Sequence, residues 1–188
     1  KVLGEKIIRD ANINFSWCIV RPTSIWGPGF KIPYSKFFEL ILKGKYFHIG
    51  NSNVYKTYGY IENTCFQLNA IINASKKMVQ GQVFYLGDAN NYSIREWAIE
   101  IAEISKSKKI RTLPSKLIFI VAIFGSLLNK LGINFPITIF RYKNMTKENQ
   151  LDLKKIYLLT NKLPYSRIEG TKKTIFWIKK KLGINDIF

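Results

Sequence analysis

The chain has 188 residues, enough to bury one substantial core and too few for two full-sized domains. Apolar residues make up 47% of it and aromatics 14%, which excludes a disordered chain. The net charge of +18, from 30 Lys plus Arg against 12 Asp plus Glu, is spread as scattered lysine with no zinc-finger spacing or RNP-like motif. Such a distribution reads as a solvated basic surface that favours anionic ligands such as nucleotides, and not as a specific nucleic-acid footprint.

The opening, KVLGEKIIRDANI, reads as a helix already under way at Lys1, with Val2, Leu3, Ile7 and Ile8 on one face and Lys1, Glu5 and Arg9 on another. No capping residue or leader-like segment precedes it, so the expectation is a chain cut from something longer. FSWCIVRP, from Phe15 to Pro22, predicts a buried strand that stops at proline, which cannot donate to a ladder. Residues 33–44 predict a helix with Pro33 in its first turn and Gly44 past its end. A short strand around YFHIG comes next, then a helix in YGYIENTCFQLNAIINASKK whose apolar positions are Cys65, Leu68, Ile71 and Ile72.

QVFYLG, residues 82–87, predicts a compact strand that runs into the turn cluster Gly87-Asp88-Ala89-Asn90-Asn91. Ser93 and Glu96 form a Ser-x-x-Glu capping box ahead of one helix, and Ser166 and Glu169 form another ahead of the last. In that last helix Ile168, Thr171, Ile175, Ile178 and Leu182 line one face, with Lys172, Lys173, Lys179 and Lys180 facing water. The apolar run at 117–128 is twelve residues long, against the roughly 20 that a membrane-spanning helix requires, and so predicts a buried or partly exposed helix, with membrane-surface contact as the alternative. Strands alternating with helices make the chain α/β or α+β, with too few strands for a complete doubly wound sheet.

Chemistry-bearing residues are sparse. Cys18 and Cys65 sit in apolar stretches with no His or Cys at ligand spacing, which predicts buried packing residues in a reducing, cytoplasmic setting and no metal site. His48 reads as a strand or loop residue, and Tyr58 and Tyr60 as strand packing.

One stretch stands out. RPTSIWGPGF, residues 21–30, resembles the Arg-Pro-x-Asn-x-Tyr-Gly-Pro-Gly signature of the extended short-chain dehydrogenase/reductases, the NAD-dependent epimerase/dehydratase family. There the strand ends beneath the nicotinamide and a glycine-bearing turn redirects the chain into the substrate domain. Other segments agree in order. KVLGE is similar to the start of the helix that carries the lysine of the family's Tyr-x-x-x-Lys motif, with Lys1 as that lysine and the tyrosine four residues earlier, outside this sequence. IGNSNVYKTYGYIENT resembles the family's Gly-Asp-Gly-x-x-x-Arg-Asp-Phe-x-x-Val-Asp-Asp segment, with Gly50 as its first glycine and Lys56 where a phosphate-binding arginine often sits. GQVFYLGDANNYSIREWAIEIAE and LPYSRIEGTKKTIFWIKKKLG are similar to the late strand with its capped helix and to the closing helix. The departures are Ser24 for asparagine, Trp26 for tyrosine, Ser52 for the second glycine, Lys56 for arginine and Glu62-Asn63 for the acidic pair.

The resemblance implies the C-terminal part of a Rossmann-type enzyme, with residues 1–24 and about 60–90 on the cofactor-domain side and the remainder mainly substrate-binding. It implies Lys1 as a catalytic and cofactor-binding residue that lowers the phenol pKa of the tyrosine and hydrogen-bonds the cofactor ribose. Pro22, Thr23 and Ser24 would line the nicotinamide. Ser24, Lys56 and Arg141 would bind the substrate, the two cations pairing with a diphosphate. The implied cofactor is NAD or NADP and the implied substrate a nucleotide-linked sugar, handled by a full-length parent in which a homodimer stays open. Neither Gly-x-x-Gly-x-x-Gly nor Gly-x-Gly-x-x-Gly occurs in the chain, so the expectation is that it does not bind the dinucleotide tightly or turn over alone. Two further readings stay open: a hydroxysteroid-dehydrogenase-like oxidoreductase, and a non-catalytic basic interaction module.

Overall fold

A computed structural model describes residues 1–11, 14–89 and 91–184. Asn90 of the turn cluster and the Asn12-Ile13 end of the opening segment lie outside them. In chain order the structure runs α1 (Val2–Asp10), β1 (Ile19–Pro22), β2 (Ile25–Trp26), α2 (Tyr34–Leu42), β3 (Phe47–Ile49), β4 (Tyr55–Lys56), β5 (Gly59–Tyr60), α3 (Ile61–Asn73) and α4 (Lys76–Val79). It continues with β6 (Val83–Leu86), β7 (Tyr92–Ser93), α5 (Ile94–Ile104), β8 (Arg111–Leu113), α6 (Ser115–Lys130), α7 (Ile139–Thr146), α8 (Lys154–Thr160) and α9 (Arg167–Leu182).

The strands pair two by two. β1 lies parallel to β6, with Ile19 opposite Val83 and Pro22 opposite Leu86; β2 is parallel to β5, β3 parallel to β8 and β4 antiparallel to β7. β1 is shorter than the run from Phe15 predicts. Its ladder begins only where β6 offers a partner, the amide of Ile19 donating to the carbonyl of Gln82 at 2.8 Å. Cys18 is accordingly half-buried.

Two apolar clusters flank this corner. One gathers Ile71, Val79, Phe84, Leu86, Leu153 and Ile156, where α3 and α8 cover β6. The other is aromatic. Trp26 is fully buried, with its ring centroid 4.8 Å from Trp97, 4.9 Å from Tyr60 and 6.0 Å from both Phe38 and Tyr92. Tilted and edge-on contacts of this kind add to area burial. The aromatic ahead of Gly27 is therefore the keystone of the core that α2, α5 and α9 close over. Gly27 must be glycine on two counts, since its φ is +134° and a Cβ would stand 2.5 Å from Cγ2 of Ile61.

Both predicted caps form. Ser93 accepts from the amide of Glu96, and Ser166 with Glu169 completes a reciprocal box at the start of α9, which ends on Gly183 in the left-handed region. The inward face of α3 departs from expectation. Cys65 is exposed, as is Ile72, while Asn63, Thr64, Gln67 and Ile71 point inward. Polar groups face inward because the chain leaving β6 leaves backbone groups to satisfy. Gln67 donates to the carbonyl of Gly87 at 2.8 Å and accepts from its amide at 3.1 Å, and Asn63 does the same for Tyr165. In α9, Lys173 faces Glu62 at 2.8 Å as well as water.

Candidate functional site

The corner arises because β1 runs out of ladder. The amide of Thr23 makes the last bond, to the carbonyl of Leu86 at 3.2 Å, and the next residue turns the chain toward β2. That residue is Ser24, whose φ of +40° places a non-glycine side chain in the left-handed region. Sparsely populated backbone of this kind persists only where neighbours hold it, and it clusters at ligand sites. Ser24 is held by the Tyr34 hydroxyl, which donates to its Oγ at 3.0 Å, and by its own carbonyl, which accepts from Gly59 at 3.5 Å.

Ser24 lines a cleft of about 490 Å³, together with Tyr34, Tyr58, Lys56, Arg141 and Asn144. Its opposite wall is α7, and the chain just past α7 is tied to β4 and Thr57 by backbone bonds. The amide of Thr57 donates to the carbonyl of Asn149 at 2.9 Å, the amide of Asn149 donates to that of Tyr55 at 3.1 Å, and the Nζ of Lys56 donates to the carbonyl of Asn144. Partial burial lowers the Lys56 pKa from its ordinary value. Lys36 also lines the cleft, so three cations face it and no carboxylate does among the described residues. Burial drives the Tyr58 phenol well above its ordinary pKa and pushes Tyr46, on the same wall, up to about 12. These phenols are neutral donors at working pH. Three cations set against aromatic surface suit an anionic ligand.

Behind the cleft lies a buried carboxylate. Asp88 accepts from the amide of Tyr60 at 3.1 Å, from Nδ2 of Asn63 at 2.9 Å and from the Tyr92 hydroxyl at 2.5 Å, while its own amide donates to Tyr58 at 2.7 Å. Burial raises its pKa and the three donors oppose that rise. Through these bonds Asp88 braces the segment that carries Tyr58 and Tyr60.

The structure brings Ser24, Lys56 and Arg141 into one cleft, although the two cations lie far apart in sequence. It does not bring Lys1, Pro22 or Thr23 to its lining. Thr23 is buried, Pro22 is exposed at the end of β1, and Lys1 is exposed at the start of α1. α1 is tied to the corner through Glu5, which accepts from Nε of Arg21 at 2.8 Å, and the amide of Glu5 donates to the carbonyl of Lys1 at 3.0 Å. Lys1 therefore stands one helical turn ahead of that anchor. Sequence reasoning missed Tyr34, Lys36 and Asn144. Only Tyr34 left a trace, as an aromatic directly after the proline that starts α2.

No protein-family model matches the chain, and no curated protein sequence does. Solved structures do. A UDP-glucuronic acid 4-epimerase from Bacillus cereus, in complex with NAD, superposes with a TM-score of 0.68 over 100% of this chain and 51% of its own, at 16% identity. A UDP-glucose 4-epimerase from Thermotoga maritima, with UDP-glucose, gives 0.64 over 96% and 51%, at 17% identity. A dTDP-glucose 4,6-dehydratase from Bacillus anthracis, in complex with NAD, gives 0.58 over 88% and 45%, at 13% identity. The chain spans about half the length of these solved chains. It has the mixed α/β fold of the C-terminal half of such epimerases, with helices and parallel strand pairs.

Proposed function

We propose that this chain is the substrate-binding C-terminal portion of an NAD(P)-dependent enzyme acting on a nucleotide-linked sugar, of the epimerase or dehydratase kind. The observation that carries the reading is the convergence of Ser24, Lys56 and Arg141 on one carboxylate-free cleft at the end of β1. Lys56 and Arg141 pair with the diphosphate, Tyr34 and Tyr58 offer flat apolar surface with polar tips, and the strained Ser24 presents its hydroxyl and backbone toward the sugar. Lysine in place of arginine keeps the charge and gives up the bidentate fork, so Arg141 carries the more directional contact.

The residues present fit the dinucleotide at one end only. Pro22 ends its strand with an exposed face that a flat ring can meet, and Thr23 and Ser24 continue that edge, whereas no glycine-rich turn in this sequence cradles phosphates. When bound, the cofactor supplies hydride acceptance and return. Ser24, Lys56 and Arg141 would orient the sugar, and Lys1 would place a positive charge beside the tyrosine that the family resemblance implies, lowering that phenol's pKa. The hydroxysteroid-dehydrogenase-like reading is less well supported, because an apolar alcohol leaves Lys36, Lys56 and Arg141 without a counter-charge.

The test is turnover by the longer protein that contains this chain, with UDP-glucose, UDP-glucuronate and an apolar secondary alcohol offered in turn. Conversion of a nucleotide sugar, with Lys56→Ala raising KM about tenfold, is expected. Turnover of the apolar alcohol alone would overturn the assignment. Calorimetric titration of NAD into the 188-residue chain is expected to show no tight binding.

A further inference from the structure

The α6–α7 hairpin turns its greasiest surface outward. The inner side of α6 is used up by α7 and the loop before it: Ile118, Ala122 and Gly125 are buried, Ser126 Oγ accepts from the amide of Ile139 at 2.9 Å, and Ser115 shares a 2.7 Å hydrogen bond with the Tyr142 hydroxyl. Gly125 lets the loop approach, since a Cβ there would stand 2.0 Å from the carbonyl oxygen of Ile137. The outer half of the same helix carries Leu117, Ile120, Ile123, Phe124 and Leu127, all exposed, with Phe124 at 64%. Leu131 and Phe140, exposed at 73% each, extend the patch past the end of α6 and onto α7. At about 100° per residue these α6 positions span about 120°, one third of the helix circumference.

The stretch of chain that carries the patch has charge of one sign. From residue 104 to 147 there is no Asp or Glu, while nine lysines and arginines occur, every one of them exposed. None of the nine makes an ion pair among the described residues. Lys116 and Lys130 lie at the two ends of α6 itself. A second copy of the chain is a poor cover for such a face, because it would bring two sets of unpaired cations together. α6 has sixteen residues, and no helix among those described is long and apolar enough to cross a membrane.

We propose that the outer face of α6, with Phe140 of α7 and the acid-free basic stretch around it, docks on an anionic lipid bilayer and lies in its surface. The apolar side chains enter the headgroup boundary while the lysines and arginines meet lipid phosphates. Phe140 and Arg141 also line the cleft, whereas Lys116, Phe124, Leu127 and Lys130, the positions the test changes, do not.

Flotation of the longer protein with vesicles tests it. Vesicles of phosphatidylcholine with about one quarter phosphatidylglycerol are expected to carry the protein at low salt and to release it at about 0.5 M salt, and phosphatidylcholine alone is expected to carry little. Phe124→Ser with Leu127→Ser, both at exposed positions, should cut vesicle binding about tenfold with circular dichroism and melting unchanged. Lys116→Gln with Lys130→Gln should cut it several-fold and carries the test if the first pair misfolds. Phe176→Ser, equally exposed but on α9, should leave it unchanged. Failure to float with anionic vesicles, or undiminished flotation of both double variants, would sink the proposal. So would a dimer in the ultracentrifuge that Phe124→Ser with Leu127→Ser dissociates, in a protein that ignores vesicles.

Discussion

The corner at Ser24 and the α6–α7 hairpin draw on the same palette of aromatic and branched apolar residues and use it in opposite ways. Around the corner the rings of Trp26, Tyr58, Tyr60, Tyr92 and Trp97 face one another, and the polar tips of Tyr60, Tyr92 and Trp97 are tied to Glu62, Asp88 and Thr171. On the hairpin α6 turns Ile118, Ala122 and Gly125 inward, while Leu117, Ile120, Ile123, Phe124 and Leu127 look out. Apolar composition therefore does not tell a core from a docking face. What distinguishes them is whether polar groups close around the apolar ones or leave a one-sided surface.

The contrast breaks most easily at Trp97. Trp97→Ala removes a ring within 5.0 Å of Trp26, Tyr58 and Tyr92 and is expected to lower unfolding free energy by about 3–5 kcal/mol in urea titration, whereas Phe124→Ala on α6 should change it by less than about 0.5 kcal/mol. Equal losses would erase the distinction. Next in size is Asp88→Ala, which strands the Tyr60 amide, the Asn63 amide group and the Tyr92 hydroxyl in the interior and should cost about 2–3 kcal/mol.

Acidification is the third way to probe the core. His48 is buried beside Tyr46 on β3, its Nε2 has no protein partner, and burial followed by the charge of Arg95 lowers its pKa to about 4. A histidine kept neutral in the fold and free to protonate when unfolded contributes full stability above about pH 6.5 and loses it as pH falls toward 4. Melting monitored between pH 7 and pH 5 should show a loss of about 1–2 kcal/mol, flattened in His48→Phe. The smallest effect belongs to Ser24→Asn. Asparagine tolerates left-handed backbone better, so a gain of about 0.5 kcal/mol is expected in the same urea titration, and a loss would mean that the Tyr34 bond outweighs the strain.

The features legible in the sequence are the local ones. The β6 run, the caps at Ser93 and Ser166 and the glycine corner depend on neighbours a few residues away, and each stands in the structure. The length of β1 depends on where its partner strand begins, so the segment from Phe15 overruns it. The inward face of α3 depends on backbone groups near Gly87 and Tyr165 that a periodicity count does not contain, which is why periodicity places Cys65 and Ile72 inward and overlooks Asn63 and Gln67. The cleft itself is legible only through family resemblance. Nothing between Lys56 and Arg141 announces that Asn149 will tie the chain just past α7 to β4.

The central claim is that the cationic cleft beside Ser24 holds a nucleotide diphosphate. Its most direct test is an NMR titration of the protein with UDP, read at backbone amides. The expected result is saturable shifts at Ser24, Tyr58, Arg141 and Asn144, with affinity about tenfold weaker in Lys56→Ala. Shifts spread along the lysines of α9, with the cleft amides unmoved, would contradict it.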